Sequence, residues 1–433
     1  MNWKEIYQEK LMSAEEAIRL IHDGNRISFA NGMGEAPAIV DALEADYQKF
    51  HDVEIVFMQG IGECHYLDEK MQGHFIHNSL FVGPGTRSAV EAARAEYTPC
   101  YFSKIPSLFY DNILPLDVAV ICVSPPDKHG FCSFGVSVDY NVAAIRCAKR
   151  VIAQVNDQMP RTHGECFVHV SQMDAIVEQN QPIRTIPKPL LTDIEKAIGK
   201  NCASLINDGD TLQLGIGLLP DAVLLFLKNK NDLGIHTEMF SDGVVDLFEE
   251  GVITNKRKNF NTDKMVASFV MGTKKLYDFV DDNPSVMMMP IDYVANPNNI
   301  GQNDNMVSIN ACIQVDLMGQ VNSESLGLRQ ISGVGGQVDF VRGAALSKGG
   351  RSIIALPSKV TGKPLSKIVP FLDPGAAVTT NRNDVHYIIT EYGIACMRGK
   401  TLSERGRALI NIAHPDFRPQ LIEEWERRFK RIF

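Results

Sequence analysis

Glu238 is the residue on which chemistry could turn. It stands in the segment IHTEMFSDG (235–243), a β-like run closed by the turn Ser241-Asp242-Gly243. A carboxylate inside such a run is costly to bury without a partner. It belongs either at an edge or loop tip, or in a functional cleft. The run alone favours the plainer placement. In a cleft, a carboxylate could serve as a nucleophile that splits one hard step into two easier ones.

Two glycine segments could supply backbone donors. GIGLLP (215–220) follows the β-like TLQL and leads into an apolar helical stretch. Glycine admits close approach of a ligand to the backbone. Proline at a first helical position costs no useful donor, and free N–H groups at a helix start attract anions. Pro220 stands where a dinucleotide fingerprint has its third glycine, and no G-K-[ST] follows. A tight strand-to-helix turn explains the segment equally well. SGVGGQVDF (332–340) packs Gly333, Gly335 and Gly336 into four residues. That costs backbone entropy, so close approach is expected there, and successive N–H groups could hold an oxyanion. A flexible loop is the alternative.

Other side chains are weaker candidates. Lys359, Lys363 and Lys367 recur at every fourth residue of SKVTGKPLSKIVP (358–370). They are either a solvated face or phosphate contacts. Glu63, His65, His74 and His77 form a loose cluster, and the i,i+3 histidines could hold a metal. No further ligands stand at diagnostic spacing, so no metal is expected. Cys64 has no evident base partner and is read as structural. No G-x-S-x-G segment supports a serine hydrolase.

An internal repeat sets the elements that must position these groups. DGNRISFANGMGEAP (23–37) parallels DGDTLQLGIGLLP (208–220), each ending in G-x-G-x-x-P. FVGPGTR (81–87) parallels FVMGTKK (269–275), and DKHGFCS (127–133) parallels DLMGQVN (316–322). The chain is therefore expected to hold two related domains, 1–185 and 192–433. The stretch QPIRTIPKPLL (181–191) would link them, since Pro182, Pro187 and Pro189 disfavour helix and central strand. β-rich runs alternate with helical runs in each half, which indicates open α/β domains with mostly parallel sheets. Ligands bind beyond the carboxyl ends of strands in such sheets, so the site is expected in a cleft between the halves. Ser28, Asn31 and Gln59 are the first-half candidates for lining it.

Composition narrows the class. The chain has 433 residues, 45% of them apolar and 22% charged, which is ordinary for a globular protein. A formal charge of −9 argues against a nucleic-acid partner. The N-terminal segment has no apolar h-region, and no apolar run is long enough to span a membrane. Nine scattered cysteines with no C-x-x-C pair read as reduced, so a cytoplasmic location is expected. A closed homodimer or tetramer is the expected assembly.

Taken together, G-I-G-x-x-P, H-T-E-M-x-x-D-G, NACIQVDLMGQVN (310–322) and GVGGQVDF (333–340) resemble the acetyl-CoA hydrolase/CoA-transferase family. The resemblance runs from the N-terminal glycine loop to EYGIACMRGK (391–400) and is specific for the family more than for the acyl group. It implies that Glu238 is the nucleophile and Asn310 an active-site residue, with Gly335 and Gly336 beside the reacting carbonyl. It implies coenzyme A contacts at Gln213, Leu214, Gly215, Ile216, Gly217 and Gly336, and less securely at Ile313 and Lys363. The implied reaction moves coenzyme A between a short-chain acyl-CoA (4-hydroxybutyryl-CoA or butyryl-CoA) and a free carboxylate such as acetate. It would run ping-pong through a glutamyl-CoA thioester, with coenzyme A as co-substrate and no tightly bound cofactor. The alternatives are an acyl-CoA thioesterase or a non-catalytic coenzyme A-binding regulator.

Overall fold

A computed structural model of the chain describes residues 2–433. The first unit's sheet is built from β1 (Arg26–Phe29), β2 (Val53–Phe57), β3 (Phe75–Ser79), β4 (Ala95–Tyr97), β5 (Val118–Val123), β6 (Arg150–Val155) and β7 (Ala175–Glu178). Its order is β4-β3-β2-β1-β5-β6-β7, parallel throughout. All six residues of β5 are buried, as a central strand covered on both faces requires.

The second unit's sheet uses β8 (Thr211–Leu214), β9 (Gly234–Ile235), β10 (Met306–Ala311), β11 (Arg351–Ala355), β12 (Tyr387–Thr390) and β13 (Gly393–Cys396). Its order is β9-β8-β10-β11-β12-β13. Only the last pair, a hairpin, is antiparallel. The series β9-β8-β10-β11-β12 repeats β2-β1-β5-β6-β7 strand for strand, so the expected α/β class and its duplication are the observed ones.

The repeat extends to individual turns. Asp23 Oδ1 accepts from His51 N–H at 2.8 Å, and Asp208 Oδ1 accepts from Asn231 N–H at 2.9 Å. Asp127 Oδ1 accepts from the N–H groups of His129 and Phe131, as Asp316 Oδ1 does from Met318 and Gln320. Gly130 and Gly319 complete the two turns at φ 87° and 85°. These left-handed values are the physical reason for glycine in both.

The division of the chain differs from the expected single boundary near residues 185–192. The first compact unit runs to Pro187 and also takes Val266–Val294, while the second takes Lys188–Met265 and Ala295–Phe433. Hydrogen bonds explain the transfer. Val138 N–H donates to Ser268 O at 2.9 Å, Val270 N–H to Val136 O at 2.9 Å, and Met288 N–H to His163 O at 2.7 Å. The strands Met265–Ala267 and Val286–Met288 pair with each other. They lie about 190 positions after β3 and β4, whose places they would take. The second sheet accordingly ends at β9.

Some local readings shift. The spacing of RSAVEAARAEY (87–97) predicts a helix, and the structure has the helix Pro84–Glu91 followed by β4. Residues 181–191 form neither helix nor strand. RPQLIEEWERRFKRIF (418–433) has amphipathic spacing and folds as the helix Arg418–Phe429, burying Leu421 and Trp425 one turn apart. Among the described residues no helix is long and apolar enough to cross a membrane.

Candidate active site

Strands β8 and β9 deliver Glu238. His236 N–H donates to Leu212 O at 3.1 Å, which continues the β9–β8 pairing one residue past the strand. Thr237 Oγ1 then lies 2.8 Å from the carbonyl oxygens of both Leu214 and Met239 and accepts from Leu214 N–H at 3.3 Å. Its single proton serves one carbonyl at a time. These contacts tie the chain beside Glu238 to the carboxyl end of β8. Glu238 itself occupies a bend before the short strand Met239–Phe240, rather than the interior of one continuous strand.

The Glu238 side chain meets the glycine segment. Gly335 takes the left-handed φ of 53°, and Gly336 caps the helix Gln337–Leu346. A Cβ on Gly336 would overlap Glu238 Oε2 and lie 3.1 Å from its Cδ. Only glycine leaves room for the carboxylate there. Glu238 Oε2 is sealed from solvent and has no hydrogen-bond partner. Burial raises the Glu238 carboxyl to about 7, and the negative Asp339 adds to the shift, while the Gly336 N–H opposes it. Asp339 lies in the first turn of the helix that Gly336 caps.

Gln213 and Asn310 are brought together across β8 and β10. Gln213 Nε2 donates to Asn310 Oδ1 at 3.3 Å, and Asn310 Nδ2 donates back to Gln213 Oε1 at 3.2 Å. Asn310 Nδ2 also donates to Ser308 Oγ at 3.0 Å. Leu214 is buried, while Gly215 is half-buried and Ile216, Gly217 and Leu218 are exposed. Gly217 has φ 104°. The helix begins at Leu218, so Pro220 is its third residue and not its first.

Ile313 is half-buried, its N–H donating to Asn322 O at 2.8 Å. Lys363 is exposed in a turn and lines a recess with Lys359, Gly362, Pro364, Asp416 and Phe417. The lysine trio is not a helical face. Lys359 bridges Ser366 and Lys367 N–H donates to Ser358 O at 2.9 Å, so the four-residue spacing wraps around a hairpin.

Of the weaker first-half candidates, Asn31 and Gln59 follow the neighbouring strands β1 and β2 side by side, where Gly32 N–H donates to Gln59 O at 3.0 Å, whereas the histidines make separate contacts. Ser28 and Asn31 are buried, and Gln59 is half-buried. His65 pairs with Glu63 at 3.0 Å, and His74 Nδ1 lies 2.6 Å from Phe50 O. His77 is buried against Tyr66 and Ser79, and burial pulls its imidazole down to about 3. Among the described residues no three His, Cys, Asp or Glu side chains gather as a metal-holding group. Cys64 is buried, and its thiol is pushed up to about 11, the wrong direction for a nucleophile.

Residues 1–187 match the acetyl-CoA hydrolase/transferase N-terminal domain, and residues 272–425 match the C-terminal domain of the same name. The chain belongs to the acetyl-CoA hydrolase/transferase family. It is 59% identical to the 4-hydroxybutyrate coenzyme A transferase of Clostridium kluyveri, over 99% of this chain and 100% of that one. It is 40% identical to the butyryl-CoA:acetate CoA-transferase of Anaerostipes caccae, over 99% and 98% of the two chains. The crystal structure of 4-hydroxybutyrate CoA-transferase from Porphyromonas gingivalis superposes with a TM-score of 0.86 at 43% identity, covering 99% of this chain and 100% of that one. With relatives of this identity, the family member described here is an enzyme of the CoA-transferase class.

Thr237 and Asp339 are parts of the site that the residue types alone did not mark. Both sit inside the motifs H-T-E-M and G-G-Q-V-D-F, where the glutamate and glycines drew the chemical reading.

Proposed function

We propose that this CoA-transferase moves coenzyme A between a short-chain acyl-CoA and a free carboxylate, with Glu238 as covalent relay. The observation that supports it best is the Glu238 carboxylate, partly desolvated and without a partner at Oε2, in a space that only Gly336 leaves open. A nucleophile is better left unsatisfied before reaction than held by hydrogen bonds it must break.

In this reading the ionised Glu238 attacks the acyl-CoA carbonyl carbon. The carbon–sulfur bond breaks, coenzyme A leaves as thiolate, and an acyl-glutamyl anhydride remains. The thiolate attacks the glutamyl carbonyl, releasing the first carboxylate and leaving a glutamyl-CoA thioester. The incoming carboxylate reverses both steps, giving ping-pong kinetics. Each addition places charge on a carbonyl oxygen, and the N–H groups of Gly335 and Gly336 are the proposed donors. One such donor is worth roughly 3–4 kcal/mol. The paired amides of Gln213 and Asn310 would face the same chemistry. The Gly215–Gly217 backbone, exposed at Ile216 and Gly217, would hold coenzyme A with Ile313 and Lys363. Its remote binding energy can then organise the reacting end.

We rank 4-hydroxybutyryl-CoA first among donors and butyryl-CoA next, with acetate as the acceptor, and the names of the relatives at 59% and 40% identity support that order. A cytoplasmic homodimer or homotetramer is the proposed form. Mass spectrometry after incubation with acyl-CoA is expected to find coenzyme A on the peptide carrying Glu238. Adding a second carboxylate is then expected to yield a new acyl-CoA. An adduct elsewhere, or free thiol with no new acyl-CoA, would overturn the proposal, the latter in favour of a hydrolase.

A further inference from the structure

The outer edge of the second sheet has one backbone bridge, Leu233 to Ile253, and is held at Ile235 by side chains where the first sheet uses a strand. Alternate residues of β9 and its continuation aim their backbone groups to opposite sides. Gly234 and His236 bond inward, their N–H groups donating to Asp210 O at 2.9 Å and Leu212 O at 3.1 Å. Ile235 aims its N–H and C=O off the sheet, and buried backbone groups need partners. Its counterpart by register is Ile55 of β2, which pairs with His77 of β3. The chain that would supply a third strand in the second unit lies in Val266–Val294 and packs in the first.

Two side chains from the loop after Ile253 take that place. Asn255 Oδ1 accepts from Ile235 N–H at 2.9 Å. Lys258 Nζ donates to Ile235 O at 2.8 Å and to Lys264 O at 2.6 Å. Asn255 is fully buried at a left-handed φ of 58°, and Lys258 is 4% exposed. The Lys258 stem crosses Gly234 so closely that a Cβ there would lie 2.6 Å from its Cγ. Burial pulls the Lys258 ammonium down to about 7. An ammonium is an expensive group to bury merely to close a sheet edge.

We propose that Lys258 and Asn255 are positioning residues for Glu238. They clamp both backbone groups of Ile235 and so fix the short tether, His236-Thr237, that carries the carboxylate against Gly336. Three residues span roughly 10 Å when extended, so a slip at Ile235 is carried to Glu238. A misplacement of about 1 Å in a reacting group can cost ~100-fold. The proposal rests on Glu238 being the nucleophile.

The test compares full-length Lys258→Met, Lys258→Arg and Asn255→Ala with the wild type. The readouts are the single-turnover rate of coenzyme A adduct formation on Glu238, the KM for acyl-CoA, and folding by circular dichroism. Lys258→Met keeps the stem and removes the donors. It is expected to slow adduct formation by about 10–100-fold, with KM changed less than about threefold. Asn255→Ala is expected to act in the same direction, and Lys258→Arg to recover most of the rate. Wild-type adduct rates in a folded Lys258→Met or Asn255→Ala variant, or a loss confined to KM, would overturn the proposal. If Lys258→Met does not fold, Asn255→Ala decides by the same readout. A wild type that forms no adduct on Glu238 would sink the nucleophile reading and this proposal with it. A wild-type adduct with unchanged variant rates would sink this proposal alone.

Discussion

The two G-x-G-x-x-P loops began from one pattern and have opposite surroundings. In the first, Gly32, Met33 and Gly34 are buried. Glu35 beside them is buried 3.4 Å from Arg184, and its carboxyl is raised to about 7, mainly by burial. A Cβ on Gly34 would come within 2.5 Å of the Ser137 Cβ. In the second, Ile216 and Leu218 are 36% and 43% exposed, and a Cβ on Gly217 would meet nothing within 4 Å. In the first loop Gly34 is needed for packing against the protein itself and Gly32 for its left-handed φ of 56°. The glycines of the second leave backbone open to something else. The strand beside each loop differs likewise. By register, Met58 in the first unit corresponds to Glu238 in the second. One copy of the repeat supplies an apolar side chain where the other supplies the carboxylate.

The sharpest way to break this contrast is Glu238→Ala. Turnover is expected to fall by at least ~10⁴-fold, as for other lost nucleophiles, measured as formation of new acyl-CoA. A residual rate within tenfold of wild type would leave the second copy no more chemical than the first. Gly336→Ala comes next, with a loss of about 10²–10³-fold in kcat, because the added methyl takes the carboxylate's space. The two loops can then be set against each other directly. Gly34→Ala is expected to lower stability by about 2–3 kcal/mol through overpacking, read by denaturant unfolding. Gly217→Ala is expected to cost about 1–3 kcal/mol, because φ 104° with ψ −169° is a conformation that essentially only glycine adopts, and in addition to raise the KM for acyl-CoA. An unchanged KM in Gly217→Ala, or a raised KM in Gly34→Ala, would erase the distinction.

A further effect concerns pH. Glu238 binds its proton more tightly folded than unfolded, since its carboxyl rises from 4.5 to about 7. Its contribution to stability therefore falls as pH rises from about 4.5 to 7 and then stays level. Glu238→Gln has no such loss. It is expected to be about 3 kcal/mol more stable than wild type at pH 8, with the gap closing near pH 4, as followed by melting temperature. The same ionisation predicts that wild-type kcat/KM climbs with pH up to about 7.

Much of the fold was legible because repetition is a pattern that a single chain carries openly. The Asp-Gly turns, the alternating β-rich runs and both glycine segments could be read from residue types, and the structure duplicates them down to single hydrogen bonds. The allegiance of Val266–Val294 was not legible. Local sequence specifies strands and a helix there, but partner choice depends on Val136, Val138 and His163, more than a hundred residues away. The placement of the lysine trio was not legible for a related reason: Pro364 and Gly362 turn the segment into a hairpin, so the even spacing of Lys359, Lys363 and Lys367 does not set them on one face of a regular element. Glu238 needed the company of the other family motifs, since one glutamate in a β-like run is ordinary. Lys258 had no signal at all. In NKRKNF it reads as one more solvated charge, and only the structure shows which lysine turns inward.

The transferred segment also has a consequence for how the protein is made. The first unit lacks part of its framework until Val294 has been synthesised, roughly a hundred residues after Pro187. At about 5–20 residues per second that is some 5–20 s of translation. During that interval residues 1–187 wait on the ribosome with the sites for 266–294 uncovered, while the opening segment of the second unit emerges beside them. The halves of this duplicated chain therefore cannot mature in simple order, and a fragment ending at the apparent linker is expected to be a client for chaperones rather than a free-standing domain.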